Sequence, residues 1–238
     1  MSKDENMKNI LITGVGSGLG RALAHAYIEL GYAVHAIGRH CPKNLKTHPH
    51  FFFFTYDMAQ TSKLKETTQN FIKKHHFEIA ILNAGILGNI QTLEKTKLSQ
   101  IKEVMELNVW ANKELIDTLS EFASVTQVVA MSSGAAVNGS KGWGAYSLSK
   151  SGLNMLLNVY AKELPNIHFT ALAPGVIETP MVRHIIEDVD DTLFPSAKRL
   201  KEGHIQTVKE AATLLIQTFP KLLNYESGSF LDVRKMVD

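Results

Sequence analysis

Short apolar runs and helix-like stretches alternate along this chain from near its start to near its end, and that alternation leaves few folds open. Residues 9–12 form the first apolar run; a glycine-rich loop and an Ala/Leu-rich helical stretch to Leu30 follow, with Gly31 as the stop. Residues 33–37 read as a second strand and 51–55 as a third, whose four consecutive phenylalanines predict burial on both faces. A polar helix over 61–75 leads into a strand at 79–82, and a long helix over 98–122 into a strand at 127–131. A helix over 146–164, ended by Pro165, precedes a strand at 167–172; helical segments fill 180–220, and 228–231 makes a last strand. Strands alternating with helices predict a parallel sheet covered on both sides, the doubly wound, Rossmann-like α/β architecture. No repeat, low-complexity tract or linker interrupts the pattern, so residues 1–238 are expected to form one domain with a polar tail at 1–7.

Charge and cysteine usage remove several function classes. Net charge is +2 with both signs scattered, which gives no electrostatic case for nucleic acid or a membrane surface as partner. The single cysteine, Cys41, has no mate for an intrachain disulfide, as expected of a cytoplasmic protein. Residues 1–8 lack the apolar core of a signal peptide, and no apolar stretch approaches transmembrane length. Ten histidines raise the question of a metal, but His75-His76 and His48-Pro49-His50 have no thiolate or carboxylate company at ligand spacing, so none is expected.

Two motifs carry chemistry. Residues 13–20 read T-G-V-G-S-G-L-G, with Gly14, Gly18 and Gly20 where a strand turns into a helix. Such a turn calls for positive φ and for close approach by a ligand. The helix that begins near Gly18 would aim free amide hydrogens and its positive end at a pyrophosphate, so Gly14, Gly16, Ser17, Gly18, Leu19 and Gly20 are candidate nucleotide contacts. The second motif, Y-S-L-S-K at 146–150, sets Tyr146 and Lys150 at i and i+4 on one helix face. A free phenol titrates near ~10, too high for efficient proton exchange at neutral pH. A neighbouring ammonium stabilises phenolate and is expected to bring the Tyr146 value down. A phosphate cradle and a proton donor together describe hydride transfer coupled to proton transfer.

The glycine spacing, three intervening residues and then one, resembles that of the short-chain dehydrogenase/reductase family in its shorter single-domain branch, and the likeness runs from Lys8 to about Val233. Asn83-Ala84-Gly85 is similar to the family's N-A-G after the fourth strand, and Asn108 to its helix asparagine. Ser133 stands thirteen residues before Tyr146, as the family's serine does, and Pro174-Gly175 with Ile177 and Thr179 matches the segment after the sixth strand. Leu153-Asn154-Met155 and the ending at 227–232 are similar to the carbonyl-reductase group. The resemblance implies an oxidoreductase acting between a nicotinamide cofactor and a carbonyl or alcohol. It implies that Tyr146 is acid and base, that Ser133 donates to the substrate carbonyl, and that Asn108 holds a water relaying protons toward Lys150. Lys150 would also hold the nicotinamide ribose, and Asn83, Ala84, Gly85, Pro174, Gly175, Ile177 and Thr179 would line the cofactor. It implies as well a homodimer or homotetramer through the outer faces of helices 98–122 and 149–164, with Leu156, Leu157, Val159 and Tyr160 as the surplus apolar surface.

Cofactor choice is written at the end of the second strand. NAD enzymes place an acidic residue there, which a 2′-phosphate would not tolerate. Here Gly38 holds that place, followed by Arg39, whose planar fork suits phosphate, and by His40. NADP(H) is therefore expected over NAD(H), with Asp57 and Met58 near the adenine. The substrate pocket is expected at Ile86-Leu87, 134–137 (including Ala135), Trp143 and a lid at 180–203, with Ser133 and Tyr146 facing an apolar aldehyde or ketone. A β-ketoacyl- or hydroxysteroid-type substrate is the runner-up. A non-catalytic NADP(H)-sensing regulator is the alternative of another class, and it would be expected to lose part of the Ser/Tyr/Lys set that this chain keeps.

Overall fold

The computed structural model describes residues 7–236, so the polar tail expected at 1–7 lies outside the described residues except for Met7. Seven strands are formed: β1 (Asn9–Thr13), β2 (Ala33–Gly38), β3 (Phe51–Thr55), β4 (His76–Leu82), β5 (Ser124–Met131), β6 (His168–Ala173) and β7 (Ser229–Asp232). They make one sheet in the order β3-β2-β1-β4-β5-β6-β7, with every neighbouring pair parallel. Such a sheet must be covered on both faces, and the near-continuous burial of β1 and β2 is what that demands of the central strands. The order reverses between β1 and β4, where a crevice opens beyond the carboxyl ends of the strands.

The helices divide between the two faces. α1 (Gly18–Glu29) and α8 (Val208–Leu222) bury Leu23, Tyr27, Leu215 and Phe219 against one side. α2 (Thr61–Ile72), α4 (Ala111–Phe122) and α5 (Gly144–Glu163) bury Leu64, Leu115, Leu119, Leu153 and Leu157 against the other. α3 (Leu98–Met105) runs into α4, while α6 (Pro180–Asp188) and α7 (Pro195–Glu202) rise over the carboxyl ends of the strands.

Three expectations change. β3 is not buried on both faces: it is the edge strand, paired only with β2, and Phe52 is 42 % exposed. Phe51 and Phe53 still serve one core face, while Phe54 stacks near Phe71 of α2. The helix expected over 98–122 widens into a π-turn at Glu106–Trp110 between α3 and α4. β4 and β5 begin three residues earlier than their apolar runs, because His76 pairs with Ser124 in register at the polar start of both strands.

Candidate active site

The crevice at the reversal of strand order contains a cavity of about 460 Å³. The chain leaves β1 with Gly14 at φ +74 and Gly18 at φ +55, conformations that side chains rarely adopt. A Cβ on Gly20 would fall 2.4 Å from the Gly14 carbonyl oxygen and 2.5 Å from Asn83 Nδ2, so α1 can approach the loop only as glycine. Thr13 and Asn83 lock this junction. Thr13 Oγ1 accepts from the Asn83 and Ala84 amides at 3.0 Å each, while Asn83 Nδ2 donates to the Thr13 and Gly14 carbonyls at 3.1 Å each. α1 starts behind Ser17 with no side-chain cap and no acidic residue in its first turn, which leaves its amides and its positive end to a ligand.

Of the residues expected to contact a cofactor, Gly14, Gly16, Ser17, Gly18, Leu19, Gly38, Arg39, His40, Asp57, Met58, Asn83, Ala84, Gly85 and Thr179 line this cavity. Gly20 does not; it is packed behind the loop. Ile177 is 4 % exposed and belongs to the core, bridged to Gln206, while Pro174 and Gly175 line a second cavity. Pro180 and Met181, from the start of the segment expected as the lid, complete the first cavity with Tyr56 and Leu107. Tyr56 and Leu107 lie outside the expected site, and their adjacency to Asp57 and Asn108 is the one signal the sequence offers for them. Arg39 and His40 are exposed, and Arg39 has no carboxylate partner among the described residues.

Tyr146 and Lys150, expected to contact the cofactor, line neither cavity: α5 holds Lys150 behind Gly85 of the first cavity and packs Tyr146 against the cluster around Trp143. Lys150 is 5 % exposed, donates to the Met131 carbonyl at 2.7 Å and stands 5.6 Å from the Tyr146 ring centroid. A Cβ on Gly85 would meet Asn108 Oδ1 at 3.1 Å and Lys150 Nζ at 3.6 Å, so cavity, asparagine and lysine converge on one glycine. Burial lowers the Lys150 ammonium to about 8. Tyr146 departs from expectation: burial pushes its phenol up to about 12, and the opposing influence is the Ser133 hydroxyl rather than Lys150. Desolvation outweighs the neighbouring ammonium, which is spent on Met131. Ser133 caps the short turn Gly134–Ala136, accepting from the Ala135 amide at 3.2 Å.

Asn108 also departs from its expected part. It is fully buried within the π-turn, with Nδ2 donating to the Ile86 carbonyl at 2.8 Å and to Ser149 Oγ at 2.9 Å, and Oδ1 accepting from the Ile86 amide at 2.9 Å. The side chain expected to hold a relay water ties the loop after β4, at Ile86, to Ser149 of α5.

A second cavity, of about 530 Å³, contains Ser133, Ala135, Trp143, Pro174 and Gly175. Its walls combine the small and apolar residues expected, among them Gly134, Ala135, Trp143 and Leu200, with polar side chains that were not expected. Arg199, His204, Gln206 and Arg234 contribute, because the turn after α7 and the chain after β7 return over Gly134 and Gly175. Trp143 is 9 % exposed and meets Tyr146 edge-on at 6.2 Å. With Leu87, Ile185 and Ala197 it forms a small cluster against which Tyr146, Met181 and Phe194 pack, beneath α6 and α7. Val137 is 61 % exposed and lines neither cavity. Among the described residues no group of three His, Cys, Asp or Glu is placed to hold a metal, and no helix is long and apolar enough to cross a membrane.

Residues 8–190 match the short chain dehydrogenase family. An uncharacterized oxidoreductase of Saccharomyces cerevisiae is 30 % identical over 90 % of this chain and 86 % of its own length. The crystal structure of that yeast protein superposes with a TM-score of 0.81 over 96 % of each chain, at 24 % identity in that alignment. A benzil reductase ((S)-benzoin forming) of Bacillus subtilis is 28 % identical over 97 % of this chain and 100 % of its own. An NADPH-dependent pterin aldehyde reductase of Arabidopsis thaliana is 28 % identical over 74 % and 77 %. The chain belongs to the short-chain dehydrogenase/reductase family of oxidoreductases, whose members use a nicotinamide cofactor. The cradle here fits one: a Cβ on Gly16 would come within 3.1 Å of the His40 carbonyl oxygen, so its bare backbone leaves the space between α1 and Arg39 open.

Proposed function

We propose that this protein reduces an aldehyde or ketone with NADPH. The observation that carries the reading is the chain of contacts from Ser133 in the second cavity, through Tyr146, to Lys150 behind Gly85 of the glycine-loop cavity. A nicotinamide cofactor held by the glycine loop, Asn83, Ala84 and Gly85 would supply the hydride for the carbonyl carbon. Ser133 and Tyr146 hold the carbonyl oxygen, and Tyr146 passes its proton to that oxygen as negative charge develops there. Lys150, held by Met131, stabilises the phenolate left behind, and a solvent proton restores the phenol. A phenol at about 12 is protonated at neutral pH, so the resting site is set for reduction. α6 and α7, seated on Trp143 and Tyr146 through Ile185, Phe194 and Ala197, act as the lid over 180–203 and exclude water. At the outer rim Arg39, without a carboxylate partner among the described residues, would take the 2′-phosphate, and Gly38 keeps a carboxylate away from it. The names of the relatives, NADPH-dependent in one case and carbonyl reductases in two, support both halves of the reading.

The test is Tyr146→Phe, assayed by NADPH oxidation against a carbonyl panel. Loss of the proton donor is expected to lower kcat by roughly 10²–10⁴. Fluorescence titration should find NADPH affinity retained, since the phenyl ring keeps its packing. Near-normal turnover in the variant would overturn the mechanism.

A further inference from the structure

We infer that the substrate carries a carboxylate as well as its carbonyl, and that Arg234 and Arg199 recognise that group. This rests on the reductase reading above and deepens it. The second cavity holds Ser133, and its lining includes two arginines and a histidine but no aspartate or glutamate. Arg234 approaches closest to the chemistry: a Cβ on Gly134, the residue after Ser133, would lie 3.7 Å from its Nη2. Its guanidinium is fixed from behind. Asp232, with its side chain 7 % exposed, accepts from Nε at 2.9 Å and from Nη2 at 2.6 Å, while the Arg234 side chain remains 54 % exposed. That grip uses two of the five N–H groups and leaves Nη1 without a partner among the described residues. Arg199 reaches the same cavity from α7, where its only partner among the described residues is the neutral Ser196 hydroxyl at 2.7 Å. The other basic side chains on the covering segment have carboxylate partners: Arg183 pairs with Glu178, His184 with Asp188, Lys198 with Glu202 and Lys201 with Asp191. One pre-oriented guanidinium beside the serine and one unpaired guanidinium on the covering helix make a fork suited to a planar anion.

The experiment compares kcat/KM for a panel of aliphatic and aromatic 2-oxo and 3-oxo acids with that for their methyl esters, using NADPH at fixed ionic strength. The acids are expected to be preferred by about tenfold or more, the scale of a charge-assisted contact, and the preference should shrink as salt rises. Arg234→Gln and Arg199→Gln should each move the acid-to-ester ratio toward one. Arg199→Gln leaves the Asp232 pair intact, so the test stands even where Arg234→Gln lowers stability. Esters reduced as well as or better than acids would overturn the inference while leaving the reductase reading in place. No reduction in either arm would overturn both.

Discussion

Arg39 shows how one side chain divides the cofactor question. It stands exposed at the cavity rim with no carboxylate to occupy it, and Gly38 before it is roomy: a Cβ there would meet nothing closer than 3.8 Å. Replacing Gly38 with Asp and Arg39 with Ser therefore fits sterically, repels a 2′-phosphate and offers an acceptor to ribose hydroxyls. The wild type is expected to favour NADPH over NADH by about 1.5–3 kcal/mol, the usual worth of hydrogen bonds to charged groups, and the double variant to reverse that order. The measurement is kcat/KM for both cofactors in both proteins at one salt concentration. An unchanged preference would reduce Arg39 to a solvated surface residue.

At the scale of elements, the π-turn at Glu106–Trp110 is the part that sequence reasoning could not see. One extra residue in a helical turn changes neither composition nor apolar spacing by much, so 98–122 reads as one helix. Its effect is to hold Asn108 where a single amide joins Ile86 to Ser149. Asn108→Ala removes three hydrogen bonds from a buried site and should cost about 2–4 kcal/mol, read as a shift in the denaturant midpoint. Weaker cofactor binding should accompany it, because Gly85, which lines the cofactor cavity, lies against that amide. A stability within experimental error of wild type would show the brace to be dispensable. The glycine loop is legible because it sits at a strand end that the apolar pattern marks, Tyr146 and Lys150 because their spacing sets them on one helix face, and Asn83 and Ser133 through the resemblance to the family's motifs. Arg234 was not: nothing near it in the sequence announces a cavity, and only the return of β7 beside β6 carries it to Ser133. The early starts of β4 and β5 were hidden for a related reason, since His76, Glu78 and Ser124 are polar residues at the solvent end of paired strands.

For the molecule as a whole, the outer surface predicts association. Leu148, Met155 and Val159 form an exposed stripe along α5, and Trp110 is exposed 47 % where the π-turn meets α4. Leu157 and Tyr160, expected on that surface, point inward and pack in the core, and Leu156 is only partly exposed. A homodimer is expected by light scattering at micromolar concentration, and Met155→Glu with Val159→Glu should convert it to monomer; a wild type of monomeric mass would refute this. Stability should depend on pH through His35, which is enclosed by Phe52, Phe71, His75 and Phe77 with Nδ1 unpartnered. Burial, aided by His75, lowers its value from 6.5 to about 4. The unfolded chain therefore takes up this proton first, so stability is complete above pH 6.5 and falls on acidification, by about 2 kcal/mol on reaching pH 5. Urea midpoints at pH 7 and pH 5 in wild type and in His35→Phe check this, the variant showing the smaller loss.

The edge position of β3 has a bearing on how the protein behaves outside the native state. Phe51–Thr55 carries no charge, has high strand propensity and has no strand partner on its outer side. Whatever loosens the segments around it exposes a template onto which an identical strand from another copy can add. Aggregation on heating or acidification should therefore begin at these phenylalanines, and a lysine at the exposed Phe52 would act as a gatekeeper against it.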